Sequence, residues 1–154
     1  MKKVVMIGAG SFFADAIAEG LCDNSIFAGS SLVLVDADKR RLKLSHARIG
    51  EILAKKQADI RLTATTDRKR ALADCHYVVT ACEKNRMRYW LKDIEIPERF
   101  GVHQFKGENG GPGGQIHAMR NIHLFEGICQ DMRELCPDAW LMNFTNPMSF
   151  LCTY

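Results

Sequence analysis

The sequence predicts an α/β protein built on a doubly wound, mainly parallel sheet. Short apolar runs alternate with amphipathic segments of helical period along most of the chain, which is how a parallel sheet with right-handed crossovers reads. The first apolar run, Lys3-Val4-Val5-Met6-Ile7, breaks at Gly8-Ala9-Gly10-Ser11, a turn that suits a first strand entering a first helix. An acid, Asp36, closes the second run. Together these features define a Rossmann-like domain.

The first strand is apolar on both faces, as a buried parallel strand must be. A helix is expected from Ser11 to Cys22, with Phe13, Ala16, Ile17, Gly20 and Leu21 at helical spacing and Asp23-Asn24-Ser25 closing it. Ser31–Val35 forms the second strand. Ala37 to Gln57 is a long amphipathic helix with Leu42, Leu44, Ile49, Ile52 and Leu53 on its apolar side, and Asp38 in its first turn complements the helix dipole. Ile60–Thr65 is a third strand. Thr66-Asp67 caps a short helix at Arg68–Ala73, and Tyr77–Ala81 is a fourth strand.

Beyond it, Arg86 to Phe100 reads as helix interrupted at Pro97, and residues 101–114 form a glycine-rich segment. A second long helix spans Gln115 to Cys136 and stops at Pro137. Trp140–Phe144 is a fifth strand, closed by Thr145-Asn146-Pro147, and Met148–Tyr154 opens another helix with no C-cap. The chain therefore reads as the front part of a longer protein, a single domain over residues 1–154. Apolar surface is expected at Trp140, Leu141, Phe150 and Leu151, where the remainder would pack.

Composition narrows the class. The 154 residues are 47% hydrophobic and 25% charged, with a net charge of +3 spread over amphipathic segments, so neither disorder nor nucleic-acid binding is indicated. No apolar run approaches the roughly 20 residues that cross a bilayer, and the start lacks a signal-peptide core. A cytoplasmic location is the expectation. Six cysteines without a C-x-x-C pair read as reduced, mostly buried thiols.

Gly8-Ala9-Gly10 between a strand and a helix lets backbone approach a pyrophosphate at the helix N-terminus. Phe13 occupies the third glycine position of G-x-G-x-x-G. Asp36, 26 residues after Gly10, is placed to accept from adenosine ribose hydroxyls, and its charge favours NAD over NADP. Gly8, Gly10, Ser11, Phe12, Asp36 and Thr80 are the candidate cofactor-binding residues. The segment from Gly107 to Gly114 holds five glycines in eight residues and suits a site where backbone meets a ligand. Asn146 either binds a sugar hydroxyl pair or forms an Asx-type turn; spacing leaves both open. His103, His117 and His123 read as surface or core histidines, since His117 and His123 lie on different helix faces.

Gly8-Ala9-Gly10-Ser11, Thr65-Thr66-Asp67, Glu108 three residues ahead of Gly111-Pro112-Gly113-Gly114, and Asn143-Phe144-Thr145-Asn146-Pro147 together resemble the amino-terminal part of glycoside hydrolase family 4, over essentially the whole chain. The resemblance implies NAD- and Mn²⁺-dependent cleavage of a small-molecule glycoside by oxidation, elimination, addition and reduction, outside the two-carboxylate scheme. In such enzymes NAD⁺ takes a hydride from C3 of the sugar, the ketone acidifies the C2 proton, a tyrosine removes it and the metal stabilises the enediolate. Elimination, water addition and hydride return complete the cycle.

By the same resemblance Glu108 matches the acid that raises the tyrosine's basicity, and Asn146 the asparagine that binds substrate. The metal ligands, the acid and the tyrosine lie further along the family's chain than residue 154, so no metal residue is assigned here. The whole protein is expected to be a homo-oligomer. Phospho-sugar members carry an arginine ahead of an Ile-Pro pair; here the pair is Ile96-Pro97 and the matching position is Trp90, which favours a neutral hexoside or a uronide. A lactate- or malate-type dehydrogenase, or a non-catalytic dinucleotide-binding fragment, are the competing readings.

Overall fold

The computed structural model describes residues 1–104 and 110–154, so Glu108 and its neighbours in the glycine-rich segment lie outside the described residues. The chain divides into two compact units, residues 1–82 with 131–144, and residues 83–130 with 145–154.

The first unit carries the sheet. Strands β1 (Lys3–Ile7), β2 (Ser30–Val35), β3 (Ile60–Thr65), β4 (Tyr77–Thr80) and β5 (Trp140–Asn143) lie in the order β3-β2-β1-β4-β5. Every pairing is parallel. The doubly wound, parallel sheet expected from the sequence is present. Apolar character follows position: the central β1 is buried along nearly its whole length, whereas the edge strand β3 alternates between half-buried and exposed residues.

Helices α1 (Phe13–Cys22) and α2 (Lys39–Lys55) lay their apolar stripes on the sheet. Ala14, Ala18 and Leu21 of α1 and Leu42, Ile49 and Leu53 of α2 join Val4, Met6, Leu32 and Leu34 in one buried cluster. Ile49 is fully buried there. Truncating such a side chain to alanine costs about 2–5 kcal/mol, through lost transfer energy and the cavity left behind.

Several boundaries differ from the sequence reading, each for a local reason. α1 starts at Phe13 rather than Ser11, because the Ser11 N–H closes a turn on the Gly8 carbonyl (3.0 Å) and Ser11 Oγ accepts from Phe13 N–H (3.3 Å). α2 starts at Lys39, since Asp38 is its N-cap and accepts from the Arg40 and Arg41 N–H groups. It ends before Gln57, whose φ of 53° leaves the helical region. The short helix α3 (Arg68–Leu72) is capped as expected by Asp67, which accepts from Arg70 N–H.

The second unit contains α4 (Arg86–Glu98), the first part of α5 (Gly111–Leu135) and α6 (Met148–Thr153). α4 runs through Pro97, which sits in its last turn and therefore ends rather than interrupts it. α5 begins within the Gly-Pro-Gly-Gly motif instead of at Gln115. Pro112 lies in the first turn, where a missing N–H is no loss. Gln104 secures that end: its Nε2 donates to the Gly110 carbonyl (2.6 Å) and its Oε1 accepts from Gly113 N–H (3.0 Å). Trp140 is 73% exposed, as the sequence suggests, but Leu151 is buried because α6 turns it inward.

Candidate functional site

The register aligns the carboxyl ends of the central strands. Ile7 pairs with Val35 and with Thr80, and Thr80 pairs with Asn143, so Gly8, Asp36, Thr80 and Asn143 come to one end of the sheet. That end is where doubly wound sheets bind ligands.

The turn after β1 is tightly specified. The Gly8 and Ala9 N–H groups both donate to the Val35 carbonyl, at 2.9 and 3.0 Å. Gly8 has a φ of +86°, and a Cβ on it would collide with the Ala81 carbonyl. A Cβ on Gly10 would come within 2.9 Å of both Asp36 Oδ2 and Arg41 Cβ. Only glycines fit this cradle. Phe13, in place of a third glycine, turns outward and meets Phe144 in a tilted ring contact at 5.4 Å.

Asp36 is half-buried and held at both oxygens: Gly10 N–H donates to Oδ2 (2.8 Å) and Asp38 N–H to Oδ1 (2.9 Å). Each carboxylate oxygen keeps a second lone pair for a hydroxyl donor. The neighbouring acid, Asp38, is committed elsewhere. The N–H groups of Arg41 and Arg40 hold its carboxyl below the usual range, against a smaller opposing effect of desolvation.

Ser11 and Phe12 complete the turn. Phe12 is 88% exposed and supplies no side-chain cap to α1. Thr80 sits differently from the rest: it is fully buried, and its hydroxyl donates to Asn143 Oδ1 (3.0 Å). It therefore braces β4 against β5.

In the second unit, Asn146 precedes Pro147 through a cis peptide bond, and its carbonyl accepts from Asn121 Nδ2 (2.7 Å). Its side-chain amide takes no part in that bond. The same unit holds a cluster that the sequence reading missed. His117, fully buried on α5, places Nε2 2.9 Å from Glu83 Oε1 and Nδ1 3.7 Å from Asp93 Oδ2. Arg120 clasps the Asp93 carboxylate with both terminal nitrogens and lies over the Tyr89 ring. A signal was available: His117 and Asn121 fall on the stripe occupied by Gly114, Ala118, Phe125 and Ile128, all buried. Polar residues on a core stripe need partners.

Among the described residues no group of three or more His, Cys, Asp or Glu side chains could hold a metal ion, and no helix is long and apolar enough to cross a membrane. The sequence profile of Family 4 glycosyl hydrolase matches residues 3–154. The chain belongs to this family. Among similar proteins is the α-glucosidase of Erwinia rhapontici, 37% identical over 153 residues, which covers 98% of this chain and 34% of that protein. An α-galacturonidase of Thermoanaerobacterium saccharolyticum is 47% identical over 60 residues, 39% of this chain and 13% of that protein. A 6-phospho-α-glucosidase from gut microorganisms, crystallised with NAD and glucose-6-phosphate, superposes with a TM-score of 0.87 at 22% identity, over 98% of this chain and 34% of that one. The chain spans about a third of the length of these full proteins.

Proposed function

We propose that this chain is the dinucleotide-binding part of an NAD- and Mn²⁺-dependent family 4 glycosidase that cleaves an O-glycosidic bond by oxidation, elimination, addition and reduction. The arrangement of Gly8, Gly10 and Asp36 carries the reading: two glycines that admit no Cβ open the backbone to a pyrophosphate, and a half-buried carboxylate held by two N–H groups stands ready for the ribose hydroxyls. NAD⁺, when bound, supplies a hydride acceptor for a carbon of the sugar ring.

The chain's own residues then act by positioning. Gly8 and Gly10 let the α1 N-terminus face the phosphates, Asp36 fixes the adenosine end, and Asn146 orients the sugar through its side-chain amide. Glu108 tunes the basicity of the proton-abstracting tyrosine. By the family resemblance, the metal ion is assigned to residues outside this chain. A neutral hexoside or a uronide is favoured as substrate, because Trp90 holds the position that carries an arginine in phospho-sugar members and the likeness to an α-galacturonidase covers part of the chain at 47% identity.

The test is a screen of the full-length enzyme with NAD⁺ and Mn²⁺ against aryl α- and β-glycosides, galacturonides and 6-phosphoglucosides. Release of aglycone that needs both cofactors supports the reading. Release unaffected by omitting NAD⁺ contradicts it, and preference for the phosphorylated sugar contradicts the substrate assignment.

A further inference from the structure

At the opposite end of the sheet from Gly8 and Asp36, two buried cysteines meet. Cys75 lies just before β4 and Cys136 just after α5, both within the first unit. They are 6% and 4% exposed, and both are free thiols. The backbone sets them side by side: Asp74 N–H donates to the Leu135 carbonyl (3.1 Å), one residue before each cysteine. Trp140 N–H donates to the His76 carbonyl (3.0 Å), and Cys136 N–H is anchored on Met132 (2.9 Å). The Cys75 thiol has Cys136 as its side-chain hydrogen-bond partner.

The pair is not sealed in. Both cysteines line an open cleft of about 370 Å³, with Lys2, His76, Tyr77 and Trp140 among its walls. Two neighbouring cysteines on a braced backbone, both lining an open cleft, form a dithiol that small reagents can reach.

We propose that Cys75 and Cys136 are a redox modification site that closes to a reversible intramolecular disulfide by exchange with a small-molecule disulfide. Burial first, and then the hydrogen bond to Cys136, push the Cys75 thiol up to about 12; in the proposed order Cys136 attacks first. The Cys136 thiolate attacks one sulfur of the reagent, forming a mixed disulfide and expelling one thiolate. Cys75 gives its proton to solvent, attacks the Cys136 sulfur and expels the second thiol. Two protein thiols lose two electrons, and one reagent disulfide becomes two thiols. The bond ties the entry of β4 to the end of α5, and a thiol reductant restores the dithiol. Nucleotide binding plays no part in the step, and neither cysteine belongs to the cradle.

The experiment treats the native full-length protein with bis(2-hydroxyethyl) disulfide, quenches with acid, unfolds it, alkylates the remaining thiols and maps the peptides by tandem mass spectrometry. The expected result is a Cys75–Cys136 link without retained mercaptoethanol, reversed by dithiothreitol. The link persists in a Cys82→Ser/Cys152→Ser variant and is lost in Cys75→Ser and in Cys136→Ser. The proposal is overturned if Cys75 and Cys136 are recovered alkylated, if either carries a lasting mercaptoethanol adduct, or if either links to a different cysteine. The wild-type map decides the matter even where a variant fails to fold.

Discussion

The α-carbon of Gly113 rests directly on the carbonyl oxygen of Asp93, so that any Cβ at residue 113 would overlap that oxygen. The contact has a chemical origin in the sequence. Pro97 has no N–H to give to the carbonyl four residues earlier, which is Asp93's, and the first turn of α5 packs where that bond would have been.

Gly113→Ala is therefore expected to lower stability by about 2–3 kcal/mol, because a backbone oxygen cannot move aside as a flexible side chain can. Urea unfolding with Gly114→Ala as the comparison checks it. Equal stability of Gly113→Ala and the unaltered chain would contradict the packing argument.

A second expectation concerns acid. Asp131 is buried and accepts from Arg68 Nε (2.7 Å), with Lys69 Nζ 3.4 Å away. Burial works against its charge, but the hydrogen bond and charge of Arg68, helped by Lys69, outweigh that and leave the carboxyl below its ordinary value. A carboxyl whose folded value is depressed stabilises the fold above the unfolded value of about 3.9, and that contribution is lost as pH falls through the lower folded value. Asp131→Asn should cost about 1–3 kcal/mol at neutral pH, moderated by the partial exposure of Arg68. The gap between the two proteins should narrow below about pH 4. Denaturant curves at neutral and acid pH measure it, and a gap that widens in acid would contradict the assignment.

Asn146 and Asn121 should separate in their effects. Asn146 bonds to Asn121 through its main-chain carbonyl, so Asn146→Ala keeps that bond and leaves the thermal midpoint nearly unchanged. In the full-length enzyme it should lower sugar binding or turnover about tenfold or more, the scale of one lost hydrogen bond to a buried ligand. Asn121→Ala should instead cost about 1–2 kcal/mol of stability. Calorimetry paired with steady-state kinetics reads both. A large stability loss in Asn146→Ala with intact turnover would favour the turn-only role.

The parallel sheet was legible because its signals are local: an apolar run, a glycine turn, an acid at a strand end. Gly8, Gly10 and Asp36 could be named from spacing for the same reason, and the structure brings them together. Helix starts were less legible. Ser11 and Asp38 each have side chains that bond neighbouring backbone N–H groups, so the residue that looks helical sits just outside the helix. The glycines at 111 and 113 looked like a ligand loop, yet Gly113 serves contact with α4, which only the fold reveals. His117 is the buried core histidine that its stripe allows, but its partners, Glu83 and Asp93, are distant in sequence, so the helix pattern could not name them.

The central claim is that Gly8, Gly10 and Asp36 form a cradle for NAD. Titrating the 154-residue chain with NAD⁺ and NADP⁺ by calorimetry, alongside Asp36→Ala, tests it most directly. The account predicts NAD⁺ binding about tenfold or more tighter than NADP⁺, since a 2′-phosphate would face the Asp36 carboxylate, and a loss of that preference in Asp36→Ala. Equal affinity for the two cofactors, or a preference unchanged in Asp36→Ala, would contradict it.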